Sequence, residues 1–191
     1  MTQEQLVSAL KCQDPGAVAE LVNLYGDRLL PSAFMLCGNE TEAQDLVQET
    51  FLEAIRSAQR FQQRSSIYTW LYSILLNLSR HYHRKQKRVL LDNDAGAEAA
   101  APTGESVSPL DAGTAASALQ AALRTLSDVH REVIVLRYYE GLKIREIARQ
   151  LGLSPGTVKS RLHYAIGELK QRLPGELNLF GAAGTERMQQ P

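Results

Sequence analysis

Cysteine is scarce. Cys12 and Cys37 are the only two in 191 residues, and their separation fits neither a disulfide framework, a zinc knuckle nor a redox pair. No apolar run approaches the ~20 residues needed to cross a bilayer. The start of the chain lacks the cationic and then apolar segments of a secretory leader, so the expectation is a cytosolic protein without direct membrane contact. Strand-like alternation is missing throughout. So is any cluster of metal-binding carboxylates or any nucleophile and base constellation, and neither an enzyme nor a bound cofactor is expected. Cys12, Cys37, His81 and His83 are read as structural residues, because nothing in the sequence brings the four together.

Charge of one sign is missing from long stretches, although formal net charge is zero. Residues 1–55 carry two cations against nine anions. Residues 56–88 hold eight Arg and Lys without one Asp or Glu. Residues 89–111 then carry five acids (Asp92, Asp94, Glu98, Glu105 and Asp111) and no cation. The remainder is basic again. Such blocks point to separate surfaces for partners of opposite charge.

What is present is helical periodicity. Thr2 and Gln5 have capping-box spacing ahead of Leu6, Val7 and Leu10. Asp14 precedes Pro15 and the stripe Ala17, Val18, Leu21, Val22, Leu24 and Tyr25, and Pro31 is expected to kink or end that helix. Asn39 and Glu42 open a third helix whose apolar stripe includes Leu46, Val47, Thr50, Phe51 and Ala54. Its other face is Asp45, Gln48, Glu49 and Leu52. After the polar gap Gln62 to Ser66, a fourth helix is predicted over 67–88, burying Trp70, Leu71, Ile74, Leu75 and Leu78. Residues 89–114 turn rich in Ala, Gly, Pro and Asp, a composition that buries too little apolar area to offset its ordering entropy. The fold class expected is all-α: a helical domain over 1–88, a flexible acidic linker over 89–114, a second helical domain over 115–173, and a tail over 174–191.

The second domain carries the sharper motif. In KIREIARQLGLSPGTVKSRL, Ile144, Ile147, Ala148 and Leu151 share a face, Gly152 supplies a left-handed turn residue, and Ser154 is placed to cap a helix starting at Pro155. This spells a helix-turn-helix, in which the second helix enters the major groove and reads bases near its N-terminus. Val158, Leu162, Ala165 and Ile166 turn inward. Ser154, Pro155, Thr157, Lys159, Ser160 and Arg161 form the candidate DNA-reading start. In the first domain the fourth helix interleaves Tyr68, Trp70, Tyr72 and Tyr82 with Arg and Lys, after Phe61 and the loop QQRSS. Rings that stack on unpaired bases, beside cations that follow the backbone, suit strand-separated nucleic acid.

DLVQETFLEAIRSAQRF, SSIYTWLYSILLNLSRHYHR and LSDVHREVIVLRYYEGLKIREIARQLGLSPGTVKSRLHYAIGELKQRL together resemble the two blocks of an extracytoplasmic-function (group IV) sigma factor of bacterial RNA polymerase, over about residues 15–173. The resemblance implies that residues 1–88 are sigma region 2 and 115–173 sigma region 4. It implies a transcription initiation factor whose partners are core RNA polymerase, promoter DNA and an anti-sigma factor. On matching positions it places Asp45, Leu46, Gln48, Glu49 and Phe51 at the polymerase clamp, to which the free face adds Leu52. It places Arg60, Phe61, Gln63, Arg64, Ser65, Ser66, Tyr68, Trp70, Arg80 and Arg84 at the minus-ten element, and the helix from Pro155 at the minus-thirty-five element. The linker acids are then read as a nucleic-acid mimic facing a basic channel. QQRSS departs from the family, where a Gly and an acid are common. Stand-alone helix-turn-helix regulators are the main alternative, and a recombinase or nuclease ranks below them.

Overall fold

The computed structural model describes residues 2–93 and 115–173. Asp94, Glu98, Glu105, Asp111 and the tail 174–191 lie outside the described residues. All regular structure among the described residues is helical.

Helix α1 (Gln3–Lys11) opens on the expected capping box: Thr2 Oγ1 accepts from Gln5 N–H at 3.2 Å, and the Gln5 side chain accepts from Thr2 N–H at 2.9 Å. Helix α2 (Pro15–Cys37) starts with Asp14 accepting from Gly16 N–H at 2.9 Å and with Pro15 in its first turn. Pro31 does not end it. The helix continues for six residues beyond Pro31 because Leu29, Ser32 and Ala33 around it are each 0% exposed and held by packing. Termination comes instead at Gly38, which adopts φ +79° and donates to Phe34 O at 2.7 Å. That left-handed conformation favours glycine. A side chain there is doubly excluded, since a Cβ on Gly38 would sit 2.5 Å from Arg124 Nε.

Asn39 caps α3 (Glu40–Ser57) by accepting from Glu42 N–H at 3.3 Å. A single 3-10 turn, Ala58–Arg60, leads to the loop 62–66 and to α4 (Ile67–Asn93). Helix α4 therefore overruns the expected boundary at 88. No Gly or Pro occurs between 67 and Gly96, so residues 89–93 meet no helix breaker. Leu6, Leu10, Leu21, Leu36, Phe51, Leu71 and Leu75 are all buried in the core of this four-helix unit.

The second unit comprises α5 (Ala115–Thr125), α6 (Asp128–Ile134), α7 (Ile144–Leu151) and α8 (Pro155–Arg172). Its core is Leu123, Val133, Leu136, Ile147, Val158, Leu162 and Leu169. Between α6 and α7 the chain widens into a π-helical turn, Val135–Tyr139, closed by Glu140 N–H to Val135 O at 3.0 Å. Gly141 then reverses direction at φ +70°.

The two units pack against each other through the end of α2, α4, α6 and the π turn. Arg131, 7% exposed, stands at the centre. It donates to Leu123 O at 2.9 Å, Arg124 O at 3.1 Å and Leu126 O at 3.0 Å in its own unit, and to Leu36 O at 2.6 Å in the other. One cation thus serves carbonyls at the ends of two helices, where the helix itself supplies too few donors.

Candidate nucleic-acid and polymerase interface

Helix α3 separates its two faces cleanly. Leu46 and Phe51, 7% and 6% exposed, point into the core, and Thr50 Oγ1 folds back to Leu46 O at 2.7 Å. Asp45, Gln48, Glu49 and Leu52 are exposed. Leu52 is 47% exposed and sits on the acidic side of the helix. Arg56 pairs with Glu49 at 3.0 Å and with Glu53 at 3.7 Å. Of the residues matched to the polymerase clamp, Asp45, Gln48, Glu49 and Leu52 therefore present a surface, while Leu46 and Phe51 hold the helix that presents it.

The segment expected at the minus-ten element is exposed in its loop and partly engaged along α4. Arg60, Gln63, Arg64, Ser65 and Ser66 are exposed, and Gln63 has φ +55°. Ser66 Oγ accepts from Thr69 N–H at 3.1 Å, which fixes the start of α4. Phe61 is buried and Trp70 half-buried, and their rings stack at 4.4 Å with 15° between planes. A cleft of about 700 Å³ lies between this segment and α7, lined among others by Arg60, Arg64, Ser66, Trp70 and Arg149.

Further along α4 the candidate contacts are already occupied. The Tyr68 hydroxyl donates to Glu140, 2.9 and 2.8 Å from its two carboxylate oxygens, and the Arg28 guanidinium lies 3.6 Å above the Tyr68 ring. Burial and then the Glu140 hydrogen bond push the Tyr68 hydroxyl well above the usual phenol range. Ser32 Oγ also donates to Glu140. Arg80 meets Glu132 through two bonds of 2.6 Å, which hold its guanidinium charged. Arg84 is exposed. His83 Nε2 lies 3.2 Å from Leu36 O. Among the described residues no group of His, Cys, Asp and Glu is placed to hold a metal ion.

The helix-turn-helix has the geometry expected of it. Gly152 takes φ +66° after α7, and Leu153 N–H reaches back to Ala148 O at 2.9 Å. Ser154 accepts from Thr157 N–H at 3.0 Å and shares a hydroxyl contact of 2.9 Å with Thr157. Pro155 occupies the first turn of α8, where a missing N–H costs nothing. Val158, Leu162, Ala165 and Leu169 are buried against α6 and α7. Ser154, Pro155, Lys159 and Ser160 are exposed, and Thr157 and Arg161 half-exposed, at the helix start. His130 Nδ1 lies 2.9 Å from Glu168 and ties α6 to α8.

Sequence reasoning did not single out Ser32, Arg131, Glu132 or Glu140. Their importance is between units, and no periodicity within one helix carries it.

Comparison with known proteins agrees with this geometry. The Sigma-70 region 2 family model matches residues 21–89, and the Sigma-70, region 4 model matches residues 116–169. Those two matches define the class: a two-region sigma factor of the sigma-70 type. The ECF RNA polymerase sigma factor SigW of Bacillus subtilis (strain 168) is 31% identical over 91% of this chain and 97% of its own length. The ECF RNA polymerase sigma factor SigL of Mycobacterium tuberculosis (strain ATCC 25618 / H37Rv) is 34% identical over 87% of this chain and 94% of its own. Among solved structures, the sigma factor RpoE of Bartonella quintana, in complex with the anti-sigma factor NepR, gives a TM-score of 0.64 at 28% identity, covering 84% of this chain and 97% of that one. CnrH in complex with the cytosolic domain of CnrY gives 0.61 at 26% identity, covering 88% and 95%. The chain belongs to the ECF RNA polymerase sigma factors. It is thus a transcription initiation factor that directs core RNA polymerase to promoters, and the stand-alone regulator is not favoured. No helix among the described residues is long and apolar enough to cross a membrane.

Proposed function

We propose the following division of labour within that function. The exposed α3 face of Asp45, Gln48, Glu49 and Leu52 docks on the polymerase clamp, supported from below by Leu46 and Phe51. The strip Arg60, Phe61, Gln63, Arg64, Ser65, Ser66, Tyr68 and Trp70, continued by Arg80 and Arg84, receives the melted minus-ten strand, with rings for bases and guanidinium groups for phosphates. The start of α8, with Ser154, Pro155, Thr157, Lys159, Ser160 and Arg161, reads the minus-thirty-five element in the major groove. The factor works in the cytoplasm, contributes no catalysis of its own, and answers to an anti-sigma partner, a reading supported by the similar RpoE having been solved in complex with the anti-sigma factor NepR. The linker acids act as a nucleic-acid mimic.

One observation carries this reading. A capped, hydroxyl- and cation-bearing helix start stands exposed in a helix-turn-helix, in the same chain as an acid-free aromatic and basic segment. Adding the purified chain to sigma-free core polymerase on a library of random promoters tests it. Enrichment of templates with a fixed pair of elements about 25 base pairs apart, near 85 Å of duplex, is the expected result. Initiation without any sequence enrichment would sink it.

A further inference from the structure

The cleft of about 700 Å³ bounded by the 62–66 loop, the start of α4 and α7 is a cationic space short of counter-charge. Arg60 and Arg64 line it from the first domain and Arg149 lines it from α7 across the gap, and among the described residues none of the three makes an ion pair or a side-chain hydrogen bond. Glu146 is the one carboxylate among the described residues lining it, and it already accepts from Lys143 N–H at 2.7 Å at the start of α7. Three cations against one anion leave the walls at +2. We propose that this cleft binds a nucleoside triphosphate, with its phosphates between Arg60, Arg64 and Arg149 and its base against the ring of Trp70.

Size, charge and ring chemistry each narrow the ligand. The volume falls within the ~300–1,000 Å³ of small-molecule sites. Guanidinium groups pair with phosphate oxygens two at a time, so three of them suit a chain of phosphates better than one small anion. Trp70 adds a feature that an inorganic polyphosphate leaves unused. Its ring is half-buried, lines the cleft, and is backed by Phe61 stacked at 4.4 Å with 15° between planes. A base stacks on such a platform whatever its identity. Beside the ring, Ser66 Oγ accepts from Thr69 N–H at 3.1 Å and meets Thr69 Oγ1 at 2.9 Å, which fixes a hydroxyl-bearing wall. A neighbouring cleft of about 300 Å³ shows the contrast. Arg28 and Glu140 line it, but Arg28 lies 3.6 Å above the Tyr68 ring and Glu140 accepts from the Tyr68 hydroxyl, so its charges are engaged within the chain. Those of the larger cleft are not. Arg149 also belongs to neither promoter-reading set. The nucleotide site shares Arg60, Arg64, Ser66 and Trp70 with the segment assigned to DNA, yet goes beyond that assignment and does not rest on it.

The test uses the full chain without polymerase or DNA. Trp70 is the only tryptophan in the sequence, so its fluorescence reports from the cleft itself. ATP and GTP are the probes, and inorganic tripolyphosphate, followed by calorimetry, is the comparison that carries phosphates without a base. At least one of the two nucleotides is expected to quench Trp70 saturably, with a dissociation constant below about 1 mM, the affinity that a few charge-assisted contacts beside a stacked ring supply. Arg149→Gln is expected to weaken that binding about tenfold, the scale of one lost charged hydrogen bond, and to keep its helical circular dichroism because Arg149 is exposed. Arg145→Gln, which changes an exposed arginine of the same helix outside the cleft, should bind as the parent does. Absence of saturable quenching by both nucleotides overturns the proposal. So does an unchanged affinity in Arg149→Gln, or an equal loss in Arg145→Gln, which would mark general charge attraction. Tripolyphosphate binding as tightly as either nucleotide overturns it too, because the ring would then contribute nothing. Should Arg149→Gln lose helical circular dichroism, Arg60→Gln decides in its place, with the same tenfold loss expected and an unchanged affinity overturning the site. Promoter-directed initiation with core polymerase, run in parallel, separates the two ideas. Its failure in the parent removes the functional assignment, whereas normal initiation without saturable quenching removes only the nucleotide site.

Discussion

Arg80 and Glu132 meet fork to fork across the two domains, with both bonds at 2.6 Å and the carboxylate side chain 3% exposed. Desolvating such a pair offsets much of its attraction, so its net contribution to stability is small, while its geometry selects one docking arrangement. The pair therefore specifies how the domains sit together more than how firmly each is folded.

Arg161→Ala is expected to weaken promoter binding by about 1–3 kcal/mol if the side chain makes a paired base contact, and to relax discrimination at one minus-thirty-five position. Binding measured on a panel of single-base promoter variants checks this. A loss shared equally by all variants would instead mark a phosphate contact.

Ser154→Ala removes the acceptor for Thr157 N–H at the start of α8. Loss of such a cap costs about 1 kcal/mol. Chemical denaturation of the full chain should register it, together with weaker DNA binding through a frayed first turn.

Arg131→Met leaves the Arg124 and Leu126 carbonyls without their donor, while Leu123 O keeps Leu126 N–H and Leu36 O keeps His83 Nε2 within 3.2 Å. With each buried unsatisfied group costing about 1–3 kcal/mol, destabilisation of about 2 kcal/mol or more is expected from urea unfolding. Burial already lowers the ordinary value of this guanidinium, and the nearby Asp128 carboxylate works against that shift.

Cys37 and Cys12 should differ in reactivity. Burial, reinforced by the Glu42 carboxylate and opposed by Arg131, pushes the Cys37 thiol up to about 12. At pH 8 a maleimide should label exposed Cys12 readily and Cys37 only slowly. The folded chain holds the Cys37 proton more tightly than the unfolded chain does, so the associated stability is present below pH ~8.5 and is lost as pH rises toward the folded value. A Cys37→Ala variant should show a flatter alkaline decline in melting temperature than its parent.

Leu52→Asp should weaken association with core polymerase while leaving the fold intact, since Leu52 is 47% exposed. Co-elution with core polymerase in gel filtration, alongside unchanged helical circular dichroism, is the relevant pair of measurements.

Most helices were legible because their signals are local. The Thr2 and Gln5 capping box, the Asp14 to Pro15 start, Gly152 and the Ser154 cap each act within four residues, and each reads directly from the chain. Pro31 does not end its helix because its effect depends on neighbours: a helix that loses one hydrogen bond persists when Leu29, Ser32 and Ala33 are buried around the gap. The end of α4 was placed early because composition changes gradually there, while breakers arrive only at Gly96. In α3 the sequence assigned Leu46 and Phe51 both to the apolar stripe and, through family resemblance, to the polymerase surface; burial favours the stripe. The domain junction was illegible altogether. Ser32, Arg80, Glu132 and Glu140 lie up to 108 residues apart, and a salt bridge between distant helices leaves no periodic trace.

Gly38 ends one helix and also leaves room for a neighbour from the far half of the chain. Because Arg124 fills the space its missing side chain leaves, 2.5 Å from where a Cβ would stand, even a methyl group at this position would act as a wedge. It would strain the corner between the second and third helices and force the Arg124 side chain to give way, so a single hydrogen atom in place of a carbon sets how closely the two halves of the chain approach here.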